Sequence, residues 1–568
     1  MSQDDRQDHG GAQAVAAARR HGVQAMFTLS GGHIFPIYDG AVRADPPMPI
    51  VDVRHEQTAV FAAEAMARLT RTPGLAVLTA GPGVTNGVSA VTTAHFNGSP
   101  LVVLAGRAPD GRWGSGSLQE LDHPPLLAPV TKRAWTVHMP GQVGAAADEA
   151  LTLASSRHRG PVFLDASLEA LYGAGSPAGA EDTQPATRAS RLDGAAAAAR
   201  RDEPDPDAIN EIARLLAGAS RPVLILGSDV WLDGGEHAAR AAAEELRLPV
   251  IANGQGRGIL PGGHPLLVTR ARSVALGEAD LVLVAGTPLD FRLGYGNFGG
   301  KNGTGPARVV HLADAPGLVA THCELAGSAA GQLAAMFHGL VDAAGNGTAE
   351  SAAWTQDWLP RLQAITKQAM ADDADLLASN ANPVHPLRIY GELAPLLADD
   401  AVIVGDGGDF VSYAGKYVEP QQPGGWLDPG PYGCLGTGLG YAIAARLARP
   451  TAQVVLLLGD GAAGFSLMDA DTLVRHGLPV VMICGNNGIW GLEKHPMQAL
   501  YGYDVAADLQ PGCRYDQVVT ALGGGGELVT DPAGIRPALR RAFDSGIPYL
   551  VNIVTDASDA YPRSTTGV

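Results

Sequence analysis

Cysteine is scarce in this sequence, and the few cysteines are scattered. Only 4 of the 568 residues are cysteine, namely Cys323, Cys434, Cys484 and Cys513, and no two of them form a CxxC pair. This spacing argues against a structural zinc site and against a disulfide framework, and it fits a reducing compartment. We therefore expect a cytoplasmic protein.

Positive charge and long apolar runs are also lacking. Lys and Arg number 40 against 58 Asp and Glu, which gives a net charge of −18. Nucleic-acid binders depend on Lys and Arg at phosphates, so this balance argues against a nucleic-acid partner. Met1–Gly11 has no apolar signal core, and no apolar run reaches the roughly 20 residues that span a bilayer. We expect a soluble protein without a membrane partner.

The sequence does contain many short, continuous apolar runs, most followed by Gly or Asp and then by a helical pattern. Such runs indicate strands buried on both faces, and their alternation with helices indicates parallel sheets. The expected fold class is α/β, with three doubly wound parallel-sheet domains. The predicted strands are Gly74–Ala80, Leu101–Gly106, Pro161–Asp165, Pro222–Gly227, Leu281–Gly286, Val309–Asp314, Val402–Asp406, Val454–Gly459, Val480–Gly485 and Tyr549–Asp556.

Two stretches interrupt this pattern and suggest linkers. Gly173–Pro206 is rich in Ala, Gly, Pro and charged residues, and Ala343–Ser351 begins a second break. Little apolar periodicity in such segments argues against a packed element. The predicted domains are therefore residues 1–190, 191–383 and 384–555, followed by a C-terminal tail, residues 556–568.

The most informative segment runs from Gly459 to Asn487. One predicted strand ends in Gly-Asp-Gly, a helix follows, and the next strand ends in Asn-Asn. A crossover helix would bring Asp460 and Asn487 to the same sheet edge. Their oxygen atoms suit Mg²⁺, while Gly461, Ala462 and Ala463 allow backbone amides to approach a diphosphate. The plain alternative is two turns, each with an Asp or Asn as helix cap.

The paired motifs resemble the thiamine diphosphate (ThDP) motif of ThDP-dependent enzymes, in which GDG is followed some two dozen residues later by NN. The resemblance implies ThDP and Mg²⁺ as cofactors. It assigns Asp460, the Asn487 side chain and the Ile489 carbonyl to the metal. It assigns Gly459 and the small residues Gly461, Ala462 and Ala463 to the cofactor.

A second pattern lies about 400 residues upstream. Val53-Arg-His-Glu-Gln57 precedes a predicted helix, Ala80-Gly-Pro-Gly-Val-Thr-Asn86 follows the next strand, and Leu29–Asp39 precedes both. This order resembles the pyrimidine-binding domain of the acetolactate synthase group. The three domains would then bind the pyrimidine, a nucleotide and the diphosphate in turn. Glu56 would share a proton with the aminopyrimidine of ThDP, unless it is merely a solvated carboxylate at a helix start.

The resemblance also implies a platform for the bent cofactor. In the glycine-rich run Gly433–Gly440, Leu435 stands where the family places a bulky apolar side chain between the cofactor rings, although Met is frequent there. The Gly433 carbonyl and the Leu435 amide would bind the pyrimidine edge. In this family each active site is shared between subunits, so we expect a homodimer or homotetramer.

The central domain suggests a nucleotide site. Arg292 lies in the run Thr287–Gly296, after a predicted strand, and Asp314 ends the next strand. Arg292 would bind a phosphate and Asp314 a ribose hydroxyl, with ADP or CoA as the expected ligand and FAD as a less favoured one. A domain that binds nothing is the alternative.

Three details favour one branch of the family. The DFRLxYG pattern and Gly31–Ile34 (GGHI) look more like 2-hydroxyacyl-CoA lyases, and the run after Asn487, GIWGLEKHP, lacks the Gly-Met-Val-x-Gln-Trp-Gln pattern usual in acetolactate synthases. The expected reaction is reversible cleavage of a short 2-hydroxyacyl-CoA to formyl-CoA and an aldehyde or ketone. The alternative is acetolactate synthase acting on pyruvate, with FAD in the central domain.

Cleavage requires a group that takes and returns a proton. We expect Glu493 in this role, with Gln119 and His33 as polar pocket residues, although Lys494 and His495 make a solvated Glu493 an equal alternative. Family geometry suggests that Leu127 and Leu492 narrow the pocket. The C-terminal tail is a possible lid, with Arg563 near a CoA phosphate, or else a frayed terminus.

Overall fold

The computed structural model describes residues 9–175, 203–345, 353–559 and 561. These residues form three parallel β-sheets, each flanked by helices, so the predicted α/β class with three doubly wound domains is confirmed. The long connection predicted at Gly173–Pro206 lies largely outside the described residues. Within the described ranges, no helix has the length and apolar character required to cross a bilayer.

The N-terminal domain contains a six-stranded sheet in the order β2-β1-β3-β4-β6-β5. Its strands are β1 (Met26–Thr28), β2 (Ile50–Asp52), β3 (Gly74–Leu78), β4 (Leu101–Arg107), β5 (Ala134–Val137) and β6 (Val162–Ser167). Its helices are α1 (Gly10–Arg20), α2 (Phe35–Arg43), α3 (Glu56–Thr70), α4 (Pro82–Phe96), α5 (Pro124–Leu127), α6 (Val143–Ser155) and α7 (Leu168–Tyr172).

The central domain contains a five-stranded sheet in the order β11-β10-β9-β7-β8. Its strands are β7 (Pro222–Leu226), β8 (Val250–Ala252), β9 (Leu281–Ala285), β10 (Arg308–Ala313) and β11 (Gly327–Ala330). The helices of this domain and of the connection that follows are α8 (Pro206–Ala217), α9 (Ser228–Leu232), α10 (Glu236–Glu245), α11 (Arg272–Glu278), α12 (Leu333–Ala344), α13 (Ala353–Gln356), α14 (Trp358–Asp372) and α15 (Ala374–Leu377).

The C-terminal domain contains a six-stranded sheet in the order β13-β12-β14-β15-β17-β16. Its strands are β12 (Val402–Asp406), β13 (Trp426–Leu427), β14 (Val454–Gly459), β15 (Val481–Asn486), β16 (Gly525–Val529) and β17 (Tyr549–Val554). Its helices are α16 (Pro386–Leu393), α17 (Asp409–Tyr417), α18 (Thr437–Ala448), α19 (Asp460–Ser466), α20 (Ala470–Arg475), α21 (Gly491–Tyr501), α22 (Tyr515–Ala521) and α23 (Pro532–Asp544).

The three sheets share one winding pattern. When the strands of each domain are numbered from its own first strand, the first and third sheets read 2-1-3-4-6-5 and the central sheet reads 2-1-3-4-5. The chain reverses direction across each sheet between local strands 1 and 3. Ligands of such sheets bind beyond the carboxyl ends of the strands at that reversal. The segments after β3, after β12 and after β14 are therefore the places to look for a site.

The N-terminal and C-terminal domains are joined through α3 and α18. A Cβ added at Gly440 would lie 2.8 Å from the Cβ of Phe61, so glycine allows this close approach of the two helices. Tyr441 donates a hydrogen bond to Glu64 at 2.8 Å, and the Arg68 guanidinium lies 3.8 Å from the same carboxylate. Glu64 and Arg68 are both almost completely buried.

Arg68 connects all three domains. Its Nε donates to the side chain of Gln255 in the central domain at 3.1 Å, and its Nη1 donates to the carbonyl of Asp428 in the C-terminal domain at 3.1 Å. Its own carbonyl accepts a hydrogen bond from Trp231 Nε1 at 2.7 Å. Replacement of this buried cation lowers the stability of the fold, since it leaves Glu64 as a buried charge without an opposite charge.

We therefore expect Arg68→Ala to lower the free energy of unfolding by about 3–5 kcal/mol, the range for breaking a buried ion pair. Chemical denaturation followed by fluorescence measures the change. Arg214→Ala is the matched control, because Arg214 is 72% exposed and pairs with Glu211 on the surface of α8, where such pairs contribute little. Equal effects of the two substitutions would contradict the structural role of Arg68.

Candidate active site

The C-terminal sheet brings the two halves of the predicted metal motif together. Asp460 is the first residue of α19, directly after β14, and its side chain is buried. One carboxylate oxygen accepts a hydrogen bond from the Gly461 N–H at 2.9 Å, and the other accepts from the Gly488 N–H at 2.6 Å. The turn after β14 and the loop after β15 therefore meet at Asp460.

Asn487 precedes Gly488 in this loop and is half-buried. Its side-chain oxygen accepts a hydrogen bond from the Ile489 N–H at 3.2 Å. Burial raises the pKa of Asp460 to about 6, against the lowering effect of its backbone hydrogen bonds, and a nearby cation would favour the ionised form. A buried carboxylate beside an amide oxygen fits Mg²⁺. Ligation by the Ile489 carbonyl stays a prediction.

Small residues line the start of α19. Gly459 has open space where a side chain would project, whereas a Cβ at Gly461 would lie 2.5 Å from the ring of Trp490. Ala462 and Ala463 are buried. The backbone can therefore be approached closely at Gly459, as a diphosphate requires, while Trp490 covers Gly461. The sequence analysis missed Trp490, although a large aromatic side chain directly after the Asn-Asn turn was a visible signal.

A buried aspartate anchors the predicted cofactor platform. Asp406 ends β12 and accepts hydrogen bonds from the N–H groups of Gly436 at 3.2 Å and Gly438 at 2.8 Å. Burial raises its pKa to about 7. Leu435 lies in the turn that Asp406 holds, and exposed Gly433 begins it with φ +69°. Sequence reasoning identified Asp406 as the end of a strand and missed its anchoring role.

Glu56 is the first residue of α3 and is 7% exposed. Its carboxylate accepts a hydrogen bond from the Asn86 side chain on α4 at 2.9 Å. The next residue, Gln57, donates to the Leu435 carbonyl at 3.4 Å, so the start of α3 lies beside the platform turn. Burial and a polar partner make Glu56 unlike a solvated carboxylate at a helix start. Asn86 is a further residue that the sequence analysis did not single out.

The two predicted polar pocket residues lie around the segment after β3. His33 is buried and its Nδ1 lies 3.1 Å from Thr79 Oγ1, and burial lowers the pKa of its imidazole. Gln119 packs against Gly81, where an added Cβ would lie 2.9 Å from the Gln119 Cβ. Gly83, two residues on, faces Glu56. The structure thus gathers His33, Gln119 and Glu56 at one edge of the N-terminal sheet.

Three other predicted residues lie in different surroundings. Glu493 is exposed in the first turn of α21, so residues of its own chain do not enclose it. Leu492 packs against the turn after β12, since a Cβ at Gly408 would lie 2.7 Å from its side chain. Leu127 is 1% exposed within the core. The expectation that Leu127 narrows a pocket is wrong, because its side chain is enclosed by the N-terminal domain.

A pocket of about 260 Å³ lies beyond the carboxyl ends of the central strands, where the three domains meet. Arg292 lines it, with its guanidinium bound to Asp290 at 2.7 Å. Typical sites for drug-sized ligands occupy roughly 300–1,000 Å³. The volume of this pocket therefore lies just below that range.

Asp314 does not present its carboxylate to that pocket. The residue follows β10 and is 1% exposed. Its carboxylate is hydrogen-bonded to His158 Nδ1 at 2.9 Å and forms an ion pair with Arg159 Nη1 at 3.6 Å. His158 and Arg159 belong to the N-terminal domain, so Asp314 holds two domains together. This geometry corrects the ribose-binding expectation for Asp314, because protein cations already occupy the carboxylate.

A second cavity, of about 1020 Å³, contains none of the predicted site residues. It lies between α14 and the C-terminal domain and is lined among others by Leu377, Tyr390 and Tyr417. Of the predicted lid, the structure describes residues 556–559 and 561. The ring of Tyr561 packs edge-on against that of Tyr413, with 4.9 Å between the ring centroids. The prediction for Arg563 falls outside the described residues.

The fold and these sites together define a class. One sheet carries a buried aspartate and an asparagine at a turn suited to a metal and a diphosphate, and another carries a buried glutamate, as in enzymes that use thiamine diphosphate. Family models agree: the N-terminal TPP binding domain matches residues 8–126, the central domain residues 209–336 and the C-terminal TPP binding domain residues 406–553. The chain belongs to the thiamine pyrophosphate enzyme family.

Curated relatives extend over nearly the whole chain. The acetolactate synthase large subunit IlvG of Mycobacterium tuberculosis is 48% identical over 564 residues, covering 98% of this chain and 97% of that protein. The 2-hydroxyacyl-CoA lyase 2 of Caenorhabditis elegans is 35% identical, covering 92% and 85%. The human 2-hydroxyacyl-CoA lyase 2 is 33% identical, covering 97% and 90%. The resemblance to the acetolactate-synthase-like superfamily is thereby confirmed.

Proposed function

We propose that this protein is a ThDP- and Mg²⁺-dependent acetolactate synthase, which joins two molecules of pyruvate into 2-acetolactate with release of CO₂. The supporting observation is the 48% identity to an acetolactate synthase large subunit over 98% of this chain. The sequence analysis placed the lyase first, and the higher identity to the synthase reverses that order.

The chain's own residues would divide the work of this reaction. ThDP, when bound, would supply the nucleophilic carbon that this chemistry requires. Asp460 and Asn487 would hold the magnesium ion. Glu56 would share a proton with the aminopyrimidine, and its burial at the start of α3 supports this role. Gln119 and His33 present polar groups to the substrate side.

A second candidate function is the 2-hydroxyacyl-CoA lyase reaction. It would cleave a short 2-hydroxyacyl-CoA to formyl-CoA and an aldehyde or ketone, with Glu493 moving the proton. The segment after Asn487 supports it, since Ile489-Trp490-Gly491-Leu492 departs from the usual synthase pattern. The relatives named 2-hydroxyacyl-CoA lyase 2, at 33–35% identity, also support it.

The proposal extends to nucleotide binding, subunit assembly and location. The central pocket would take part of a nucleotide such as ADP or CoA, with Arg292 near a phosphate. The subunits would form a homodimer or homotetramer with shared active sites, and exposed apolar side chains such as Leu118 (79%) and Phe465 (59%) support such contacts. A cytoplasmic location is supported by four cysteines that are all free.

Product analysis distinguishes the two reactions. The purified protein with ThDP and Mg²⁺ is incubated with pyruvate and, separately, with short 2-hydroxyacyl-CoA esters, and the products are identified by mass spectrometry. We expect 2-acetolactate and CO₂ from pyruvate. Formyl-CoA from the esters, without 2-acetolactate from pyruvate, would replace the synthase by the lyase. Neither product in the presence of bound ThDP would contradict both.

A further inference from the structure

A fully buried histidine–aspartate pair lies beneath the segment that carries the predicted pocket residues. His123 and Asp165 are both 0% exposed. The His123 Nδ1 lies 2.8 Å from the Asp165 carboxylate, and the His123 Nε2 lies 2.9 Å from the backbone nitrogen of Gly81. Asp165 is part of β6, and Gly81 follows β3. The imidazole therefore links two parts of the N-terminal domain at its ligand-binding edge.

The two hydrogen bonds determine the tautomer of this imidazole. A backbone N–H can only donate, so the His123 Nε2 accepts the hydrogen bond from Gly81 and carries no proton. Its Nδ1 then carries the proton and donates to Asp165. An aspartate that orients a histidine in this way fixes both the ring position and its tautomer. The pair thus presents a fixed acceptor to the Gly81 N–H.

Gly81 in turn supports Gln119. An added Cβ at Gly81 would lie 2.9 Å from the Gln119 Cβ and 3.1 Å from its Cα, so the two residues are in close backbone contact. Gln119 has φ +61°, a left-handed conformation that is costly for a residue with a side chain. Such a conformation persists only where the surroundings enforce it, and it clusters at functional sites. His123 lies four residues after Gln119 in the same loop.

The loop is attached to the domain at a second, more exposed point. Asp122, 59% exposed, pairs with Arg107 at 3.1 Å. The Arg107 side chain is itself buried, and its Nη1 also lies 3.9 Å from Asp165, but this contact does not reach Gly81. Removal of the Asp122 carboxylate therefore weakens a neighbouring attachment of the loop while the hydrogen bond between Gly81 and His123 stays in place.

We propose that His123, oriented by Asp165, is a positioning residue that holds Gln119 in its left-handed conformation against Gly81 for the reaction at the ThDP site. The inference rests on the proposed function only in requiring a ThDP-dependent reaction; it holds for either the synthase or the lyase. A residue whose backbone is held in such a conformation at a reacting centre has a fixed side-chain position, and it raises the rate through orientation rather than through substrate or cofactor affinity.

A double-mutant cycle tests whether His123 acts through Gln119. We expect Gln119→Ala and His123→Leu each to lower kcat by about 10–100-fold, the scale of a small misplacement at a reacting centre. The double variant should be no slower than Gln119→Ala, because coupled residues are not additive. His123→Gln should recover most of the activity, since its side-chain oxygen can accept the Gly81 hydrogen bond. The substrate is whichever one the wild-type protein turns over.

Two readouts separate positioning from general damage. ThDP affinity by calorimetry, and the exchange of the ThDP C2 proton by NMR, should stay close to wild type in His123→Leu, because both depend on Glu56 and the diphosphate turn. Asp122→Ala is the matched control and should retain nearly full activity. Additive effects in the cycle, an unchanged kcat in His123→Leu, or a parallel loss of ThDP binding would overturn the proposal. A wild-type protein that turns over neither substrate would overturn the proposed function first, and this inference with it.

Discussion

Glu56→Gln should lower turnover at least a hundredfold while the protein still binds ThDP. A glutamine keeps the size of the side chain and can still accept the hydrogen bond from Asn86. It cannot share a proton with the aminopyrimidine, and positioned acid–base groups contribute about 10²–10⁴-fold to enzymatic rates. The reaction rate with pyruvate and the dissociation constant of ThDP, measured on the same preparation, check this expectation.

The control separates the buried carboxylate from carboxylates in general. Glu245 is exposed and is the last residue of α10 in the central domain. Glu245→Gln should leave both the rate and the affinity for ThDP unchanged. A near-normal rate in Glu56→Gln would remove Glu56 from the reaction and leave it as a helix-start residue that Asn86 happens to contact.

The strands that could be predicted from the sequence are those that are buried on both faces of a sheet. The runs Leu101–Gly106 and Leu281–Gly286 correspond to β4 and β9, which are buried along their whole length. Short strands were missed, because they carry too few residues for a pattern. Examples are β1 (Met26–Thr28) and β13 (Trp426–Leu427). Their hydrogen-bonded pairing with β3 and β12 defines them as strands, whereas their composition does not.

The same distinction applies to the site. Asp460 and Asn487 were predictable, because strand ends in one parallel sheet meet at one edge. Asp406 and His123 were not, since their roles depend on backbone N–H groups of glycines distant in sequence. Asp314 is the opposite case, a residue that was predicted to bind a ligand and instead contacts the protein. A strand-end aspartate suggested a ligand, but a loop from another domain places His158 against it, and sequence spacing contains no information on that contact.

The largest effect on cofactor binding is expected at Asp460. Asp460→Ala removes the buried carboxylate that is predicted to bind Mg²⁺, together with the acceptors for the Gly461 and Gly488 N–H groups. We expect ThDP with Mg²⁺ to bind at least a hundredfold more weakly, which is a loss of about 2.8 kcal/mol of binding free energy. The alternative is that Asp460 only caps α19.

Thermal unfolding with and without ThDP and Mg²⁺ decides between the two roles of Asp460. The wild-type Tm should rise by several degrees with cofactor, and the Asp460→Ala Tm should not rise. Asp531 is the matched comparison, because it caps α23 by accepting from the Ala533 N–H at 2.8 Å. Asp531→Ala should lose about 1 kcal/mol of cap stability and keep the full shift. If Asp460→Ala also kept the shift, Asp460 would be a cap, and the magnesium site would have to lie elsewhere.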